Sequence, residues 1–121
     1  MKLNPNIVRS ILLTVEETCD FNTVWEYKKC IHESPHLVEL THEEIVYHIR
    51  QCEKSQLIDG VRYYDGGANI IICDLTPAGH EFLANIRNDS IWKTTIQKGA
   101  GASLPILLEL AKDLALKYFL G

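Results

Sequence analysis

The sequence predicts an α+β fold that combines several helices with one short β-hairpin. Residues 5–18 and 41–55 have the apolar periodicity of helices, and the stretch between them is irregular. Residues 61–75 are rich in β-forming side chains and contain a glycine turn. A proline-led helix and a long C-terminal helix complete the chain. This order of elements is typical of a winged helix-turn-helix. We therefore expect a winged-helix domain over residues 1–98, and then a glycine joint with an added C-terminal amphipathic helix over residues 99–121.

The first helix is predicted to begin at Pro5 and to end at Thr18. Asn4 is a favourable N-cap, and a proline at the first helical position loses no hydrogen bond, because that N–H has no partner within the helix. Apolar side chains then recur on one face, at Ile7, Ile11, Leu12 and Val15. We expect this face to enter the core.

Residues 21–40 admit two interpretations. The segment from Val24 to Tyr27 alternates apolar and polar side chains as a strand does. The same region would equally form a short helix lined by Trp25, Lys28, Lys29 and His32. Pro35 interrupts either element, and residues 37–40 are expected to pair as a brief strand.

A second helix is predicted from Thr41 to about Ser55. Thr41 and Glu44 form a capping box, in which the hydroxyl accepts the amide of the third helical residue and the carboxylate accepts the amide of the cap. The inward side chains are Ile45, Ile49 and Cys52. Residues 57–60 should end the helix, with the glycine at position 60 providing the turn.

A hairpin and two helical segments follow. Residues 61–64 and 69–75 are rich in β-forming side chains, and the glycine-containing segment 65–68 between them predicts a tight turn. Thr76 then caps a helix from Pro77 to Ile86, whose apolar pattern continues loosely to Ile96. The last helix is expected over residues 104–120.

Four segments carry a family resemblance. They are Asn4-Pro5-x-x-Val8-Arg9-x-Ile11-Leu12-Leu13, Glu43-Glu44-Ile45-x-Tyr47-His48-Ile49, Leu57-Ile58-x-Gly60, and Asp74-Leu75-Thr76-x-x-Gly79-His80-Glu81-Phe82-Leu83-x-Asn85-Ile86-Arg87 with Trp92-Lys93. With these motifs the chain resembles the uncharacterised bacterial and phage family called domain of unknown function 2513. Residues 21–36 fit that pattern least. The resemblance implies a winged-helix-like fold in a phage or prophage-associated protein, and it supplies no activity.

A winged helix would meet double-stranded DNA through the 41–55 helix and the 61–75 hairpin. The expected contact residues are Tyr47, His48, Arg50, Gln51 and Lys54 on the helix, and Arg62 on the hairpin. A glutamine side chain can read adenine, and arginine or lysine can bind phosphate oxygens. The sequence therefore predicts a small DNA-binding protein with a regulatory role. No combination of nucleophile, base and acid at a telling spacing points to an enzyme.

The charge distribution keeps a second interpretation open. The chain carries 12 Lys and Arg against 16 Asp and Glu, a net charge of −4. Glu43 and Glu44 begin the helix that would enter the groove, and Asp65 lies in the hairpin turn. The helix and the hairpin each sum to −1, which opposes binding to phosphate. The alternative is a winged helix that binds another protein and no DNA.

The C-terminal helix is apolar around most of its circumference. Its expected interface residues are Leu107, Leu110, Leu114 and Tyr118. A terminal helix with so wide an apolar face predicts a homodimer, whereas its few cations disfavour a membrane surface. The absence of a signal-peptide pattern and of a long apolar run predicts a cytoplasmic protein.

One cluster contains candidate metal ligands. Zinc-binding side chains occur at Cys30, His32 and His36, and Cys19 or His42 lies nearby. Structural zinc sites show tightly spaced ligand pairs at both ends, and only one loose half is present here. We therefore expect no metal and no cofactor.

Overall fold

The computed structural model describes residues 1–29 and 34–121. The chain divides into two compact units, unit 1 over Met1–Gly79 and unit 2 over His80–Gly121. The described residues form five α-helices and two small antiparallel sheets. The predicted α+β class is therefore confirmed.

Helix α1 (Pro5–Thr18) follows the sequence prediction residue by residue. The Asn4 side chain accepts a hydrogen bond from the Asn6 amide, as an N-cap does. The helix buries the side chains of Ile7, Val8, Ile11, Leu12 and Val15, all of them less than 5% exposed. These residues form the centre of the unit 1 core.

Helix α2 (His42–Lys54) begins at the predicted capping box, and both of its reciprocal hydrogen bonds are present. Ile45, Ile49 and Cys52 are fully buried, as expected. The end of the helix differs from the prediction, because the left-handed residue that turns the chain is Gln56, with a φ of 59°. The Thr76 hydroxyl donates to the Gln56 carbonyl at 2.6 Å and holds this turn.

The described residues of unit 1 form five short strands. They are β1 (Trp25–Lys28), β2 (Ile58–Asp59), β3 (Arg62–Tyr64), β4 (Asn69–Ile72) and β5 (Asp74–Leu75). The larger sheet has the order β1-β4-β3, and β2 pairs with β5 in a second sheet. The strand interpretation of residues 24–27 is thus the right one. The single strand expected over 69–75 is wrong, because the chain changes sheets at Cys73. A brief strand at 37–40 is also wrong, since residues 35–39 form turns.

The remaining helices are α3 (Pro77–Ile86), which starts in unit 1, and α4 (Asp89–Lys98) and α5 (Leu104–Leu120), which lie in unit 2. The apolar pattern that runs to Ile96 is interrupted at Asn88, whose side chain caps α4 by accepting the amides of Ser90 and Ile91. Both α4 and α5 belong to one compact unit. The domain boundary expected between residues 98 and 99 stays a prediction.

Candidate nucleic-acid interface

One side of α2 is open to solvent. Four residues follow one another at helical spacing along this side, namely Glu43, Tyr47, Arg50 and Lys54. Glu43, Arg50 and Lys54 are exposed, and Tyr47 and its neighbour Gln51 are half-buried. The exposed side is therefore acidic where the helix begins and basic where it ends.

His48 does not belong to that side, and its predicted exposure is wrong. Its side chain is 1% exposed, and its Nε2 accepts a hydrogen bond from the backbone amide of Asn4 at 2.9 Å. Its Nδ1 lies 2.7 Å from the carbonyl oxygen of Glu44. Desolvation lowers the pKa of His48 below its ordinary value. The side chain therefore joins α2 to the start of α1 and is not available to a base or a phosphate.

Arg50 is held against the hairpin by Tyr63, a residue that the sequence analysis did not select. Its guanidinium carbon lies 5.6 Å from the centre of the Tyr63 ring, within the range of a cation–π contact. The Tyr63 hydroxyl donates to the Glu53 carboxylate at 2.8 Å. Burial and the acidic neighbour Glu53 raise the pKa of Tyr63 to about 12. The hydroxyl thus stays protonated, and the hairpin is joined to the second half of α2.

The other end of α2 is joined to the same sheet. The Tyr27 hydroxyl lies 2.7 Å from Nδ1 of His42, and the two rings are stacked at an interplanar angle of 12°. Tyr27 and Tyr63 are both register partners of Ile70, so they point to one side of the sheet. The sheet therefore fixes α2 near both of its ends.

Three further cations lie around the hairpin. Arg62 is exposed on β3, and Lys28 is exposed on β1, where it pairs with Glu26 at 3.5 Å. The backbone amide of Lys29 donates to the Ala68 carbonyl at 2.8 Å, which sets this lysine beside the hairpin tip. The sequence analysis selected Arg62. It could not predict that Lys28 and Lys29 lie near the hairpin, because the pairing of β1 with β4 joins distant parts of the chain.

Several acids of α2 and the hairpin make local hydrogen bonds. The Glu44 carboxylate accepts the Thr41 amide at 3.0 Å, and Asp65 accepts the side-chain amide of Asn69 at 2.8 Å. With Glu53 bonded to Tyr63, these carboxylates have structural roles. Glu43 remains as the exposed acid that a nucleic acid approaching the start of α2 would meet.

The predicted interface residues of the C-terminal helix do not share one exposed face. Leu107 is fully buried, and a Cβ added to Gly99 would lie 2.5 Å from its side chain. Leu110 and Leu114 are half-buried, whereas Tyr118 is 56% exposed. Leu107 is thus wrong as an interface residue, because it packs inside its own unit. No helix among the described residues has the length and apolarity that crossing a bilayer requires.

The residues weighed for a metal site lie in different surroundings. Cys30 and His32 lie outside the described residues. His36 is engaged by the Glu17 carboxylate at 2.9 Å, and His42 by the Tyr27 hydroxyl. Within residues 1–29 and 34–121, no three His, Cys, Asp or Glu side chains are grouped to hold a metal ion.

Comparison of the sequence with known families identifies the family of this chain. Residues 2–104 match the family described as "Hypothetical protein (DUF2513)", and the chain belongs to that family. The resemblance drawn from the four motifs is thereby confirmed. The chain is also similar to an "Uncharacterized protein" of Haemophilus influenzae (strain ATCC 51907 / DSM 11121 / KW20 / Rd). The two are 30% identical over 119 residues, which cover 95% of this chain and 92% of the relative. No solved structure matches.

Proposed function

We propose that this protein is a winged-helix protein that binds double-stranded DNA through α2 and the β3–β4 hairpin. The observation that carries the proposal is the sheet order β1-β4-β3. The hairpin that follows α2 is completed by the strand that precedes α2, and this order of strands supports the proposal of a winged helix. In that fold the helix before the hairpin enters the major groove.

The basic half of α2 supplies the contacts in this proposal. Arg50 and Lys54 bind phosphate oxygens, and Gln51 is the side chain for reading an adenine edge. Arg50 is already ordered by the Tyr63 ring, so less conformational entropy is lost when it binds. Arg62 and Lys29 add positive charge on the hairpin and beside its tip.

A salt titration with mixed-sequence duplex DNA tests the proposal. We expect binding at about 50 mM salt that weakens as salt rises, because released counterions contribute a log–log slope of about −0.9 per phosphate contact. The double variant Arg50→Ala with Lys54→Ala should lower the affinity for DNA. It should also reduce the steepness of the salt dependence by the equivalent of up to about two phosphate contacts. Lys93 is an exposed cation on α4, so Lys93→Ala is the matched control. This variant should change neither the affinity nor the salt slope.

A specific observation also favours a protein partner. Glu43 is exposed at the start of α2, where a reading helix enters the groove, and it would repel phosphate there. In this second proposal the winged helix is a protein interaction module without DNA binding. An absence of duplex binding at low salt, in a protein with native circular dichroism, would reject the first proposal and favour the second. In both proposals the chain is a phage or prophage-type protein with a regulatory, non-enzymatic role.

A further inference from the structure

Strand β1 forms one edge of the three-stranded sheet. The sheet order is β1-β4-β3, so one side of β1 pairs with β4, and no further strand of the described residues pairs with its other side. The Lys29 amide donates to the Ala68 carbonyl, which makes these residues a hydrogen-bonded pair of the ladder. Such pairs alternate along an antiparallel ladder, so Tyr27 also directs its backbone groups at β4. The amides and carbonyls of Glu26 and Lys28 therefore point outward from the edge.

These two residues also carry opposite charges on the exposed face of the strand. The side chains of Lys28 and Glu26 are 48% and 51% exposed, and the Nζ of the lysine lies 3.5 Å from Oε1 of the glutamate. Charged side chains commonly protect a sheet edge from pairing with another chain. An acid and a base two residues apart act differently, because an antiparallel copy of the strand can set each charge against its opposite.

One antiparallel register satisfies both the backbone and the charges. When Tyr27 lies opposite Tyr27 of the partner subunit, Glu26 lies opposite Lys28 of the partner subunit, and the symmetric pair forms as well. Each of these charged pairs brings outward-pointing backbone groups together, so each can exchange both N–H···O hydrogen bonds. At the ends of the strand, Trp25 lies opposite Lys29 of the partner subunit. No like charges therefore face each other across residues 25–29.

A shift of the register removes this match. A shift by two residues sets Glu26 against Glu26 of the partner subunit in one direction, and Lys28 against Lys28 of the partner subunit in the other. A shift by one residue sets outward groups against groups that already bind β4. The opposite edge of the sheet fits a second copy less well. On β3 only Tyr63, the register partner of Ile70, has outward backbone groups.

We propose that β1 is the interface of an antiparallel homodimer, in which two sheets join across a two-fold axis at Tyr27. Such an interface is isologous, so the pair of Glu26 and Lys28 occurs twice. A second copy along β1 also covers part of Val24, which lies directly before the strand and is 43% exposed. The proposal assigns self-association to β1 in place of the C-terminal helix, and it does not depend on DNA binding.

Sedimentation equilibrium of the 121-residue chain without DNA tests the pairing by charge reversal. Glu26→Lys and Lys28→Glu each create two like-charge pairs across the axis, and each should raise the dimer dissociation constant roughly tenfold at low salt. The double variant Glu26→Lys with Lys28→Glu restores opposite charges and should return within about threefold of the wild type. Glu81→Lys on α3 and Lys93→Glu on α4 make the same changes at exposed helical positions and should not change association.

A proline at position 28 tests the backbone hydrogen bonds. Because the Lys28 amide points outward, Lys28→Pro removes a donor to the second copy and none to β4. Lys28→Ala removes the same charge but keeps the amide, so it is the matched control. At about 100 μM protein we expect Lys28→Pro to be monomeric, whereas Lys28→Ala should raise the dissociation constant only about threefold. Circular dichroism should show the native fold in both variants.

Three results would overturn the proposal. A wild-type chain that stays monomeric at about 100 μM is the first, since its affinity would be too weak for a specific interface. Equal association of folded Lys28→Pro and Lys28→Ala is the second, because the outward amide would then make no contact. Single charge reversals that the double variant fails to rescue are the third, and this result does not depend on how well the strand accepts proline.

Discussion

At His48 the backbone amide of Asn4, the N-cap of α1, favours one protonation state of a side chain on α2. The Asn4 amide can only donate, so Nε2 of His48 must carry no proton. The ring proton is then on Nδ1, which donates to the Glu44 carbonyl oxygen. An imidazolium would point an N–H at the Asn4 N–H. The buried contact between α1 and α2 therefore requires the neutral ring.

This requirement predicts a loss of stability in mild acid. The pKa of His48 is lowered in the folded state, chiefly by desolvation, so the unfolded chain binds the proton more readily. The contribution of His48 is fully present above its unfolded pKa of about 6.5 and is lost as the pH falls below that value. Urea denaturation at pH 7.5 and at pH 5.5 should show a lower free energy of unfolding at the acidic pH.

Two variants separate His48 from the other titrating groups. His48→Gln removes the titrating ring, so the difference in unfolding free energy between the two pH values should shrink. His80→Gln changes an exposed histidine of unit 2 and should keep the wild-type difference. An unchanged difference in the His48→Gln variant would contradict the assignment.

Individual contact residues were harder to predict than the helix that carries them. Arg50 and Lys54 are exposed as expected, but His48 was assigned to solvent because histidine is polar. Position 48 continues the spacing of Ile45, Ile49 and Cys52, and this signal would have placed it on the buried face. The hydrogen-bond partner Asn4 is 44 residues away, so the sequence did not show how the polar ring would be satisfied once buried.

At the scale of elements, local signals were reliable and long-range pairing was not visible. Asn4, the Thr41 capping box and Pro77 begin helices where expected, because a cap acts on amides two or three residues away. Asn88 caps α4 by the same mechanism, and this available signal was missed. The exchange of sheets at Cys73 depends on β2, whose pairing with β5 no local pattern encodes.

Helix α3 offers a variant for which propensity and packing predict opposite signs. Gly79→Ala should stabilise a helix by about 1 kcal/mol on intrinsic propensity alone. A Cβ at this position would lie 2.1 Å from the Leu57 carbonyl oxygen, which is backbone and cannot move freely. We expect the free energy of unfolding to fall by about 3 kcal/mol instead, as for other overpacked sites.

Chemical denaturation of Gly79→Ala measures which effect dominates. Ala84→Gly, at an exposed position of the same helix, is the comparison and should cost only the propensity term of about 1 kcal/mol. A Gly79→Ala protein that is as stable as the wild type would show that the approach of α3 to Leu57 is not close in solution.

At the scale of the whole molecule, the net charge of −4 conceals two different patterns. In unit 1, Arg50, Lys54 and Arg62 are exposed beside the exposed acids Glu43 and Asp65. In unit 2, acids and bases alternate along α5. The proposed nucleic-acid binding concerns unit 1 alone, since Arg50, Lys54 and Arg62 all lie there.

The two tryptophans allow the unfolding of each unit to be followed separately. Trp25 lies in unit 1 and Trp92 in unit 2, and each is 6% exposed. A segment of about 40 residues buries too little apolar surface to be stable alone. Helix α3 also runs through the boundary between the units, so it cannot remain whole if only one of them unfolds. We therefore expect a single cooperative transition.

Single-tryptophan variants test this expectation. In Trp25→Phe the remaining fluorescence reports unit 2, and in Trp92→Phe it reports unit 1, while far-ultraviolet circular dichroism reports the helices of both. Within each variant the fluorescence and circular dichroism curves in urea should coincide, even though both substitutions lower the midpoint by creating space in a core. If Trp92 fluorescence changes at a lower urea concentration than the circular dichroism, unit 2 unfolds on its own and the cooperative description is wrong.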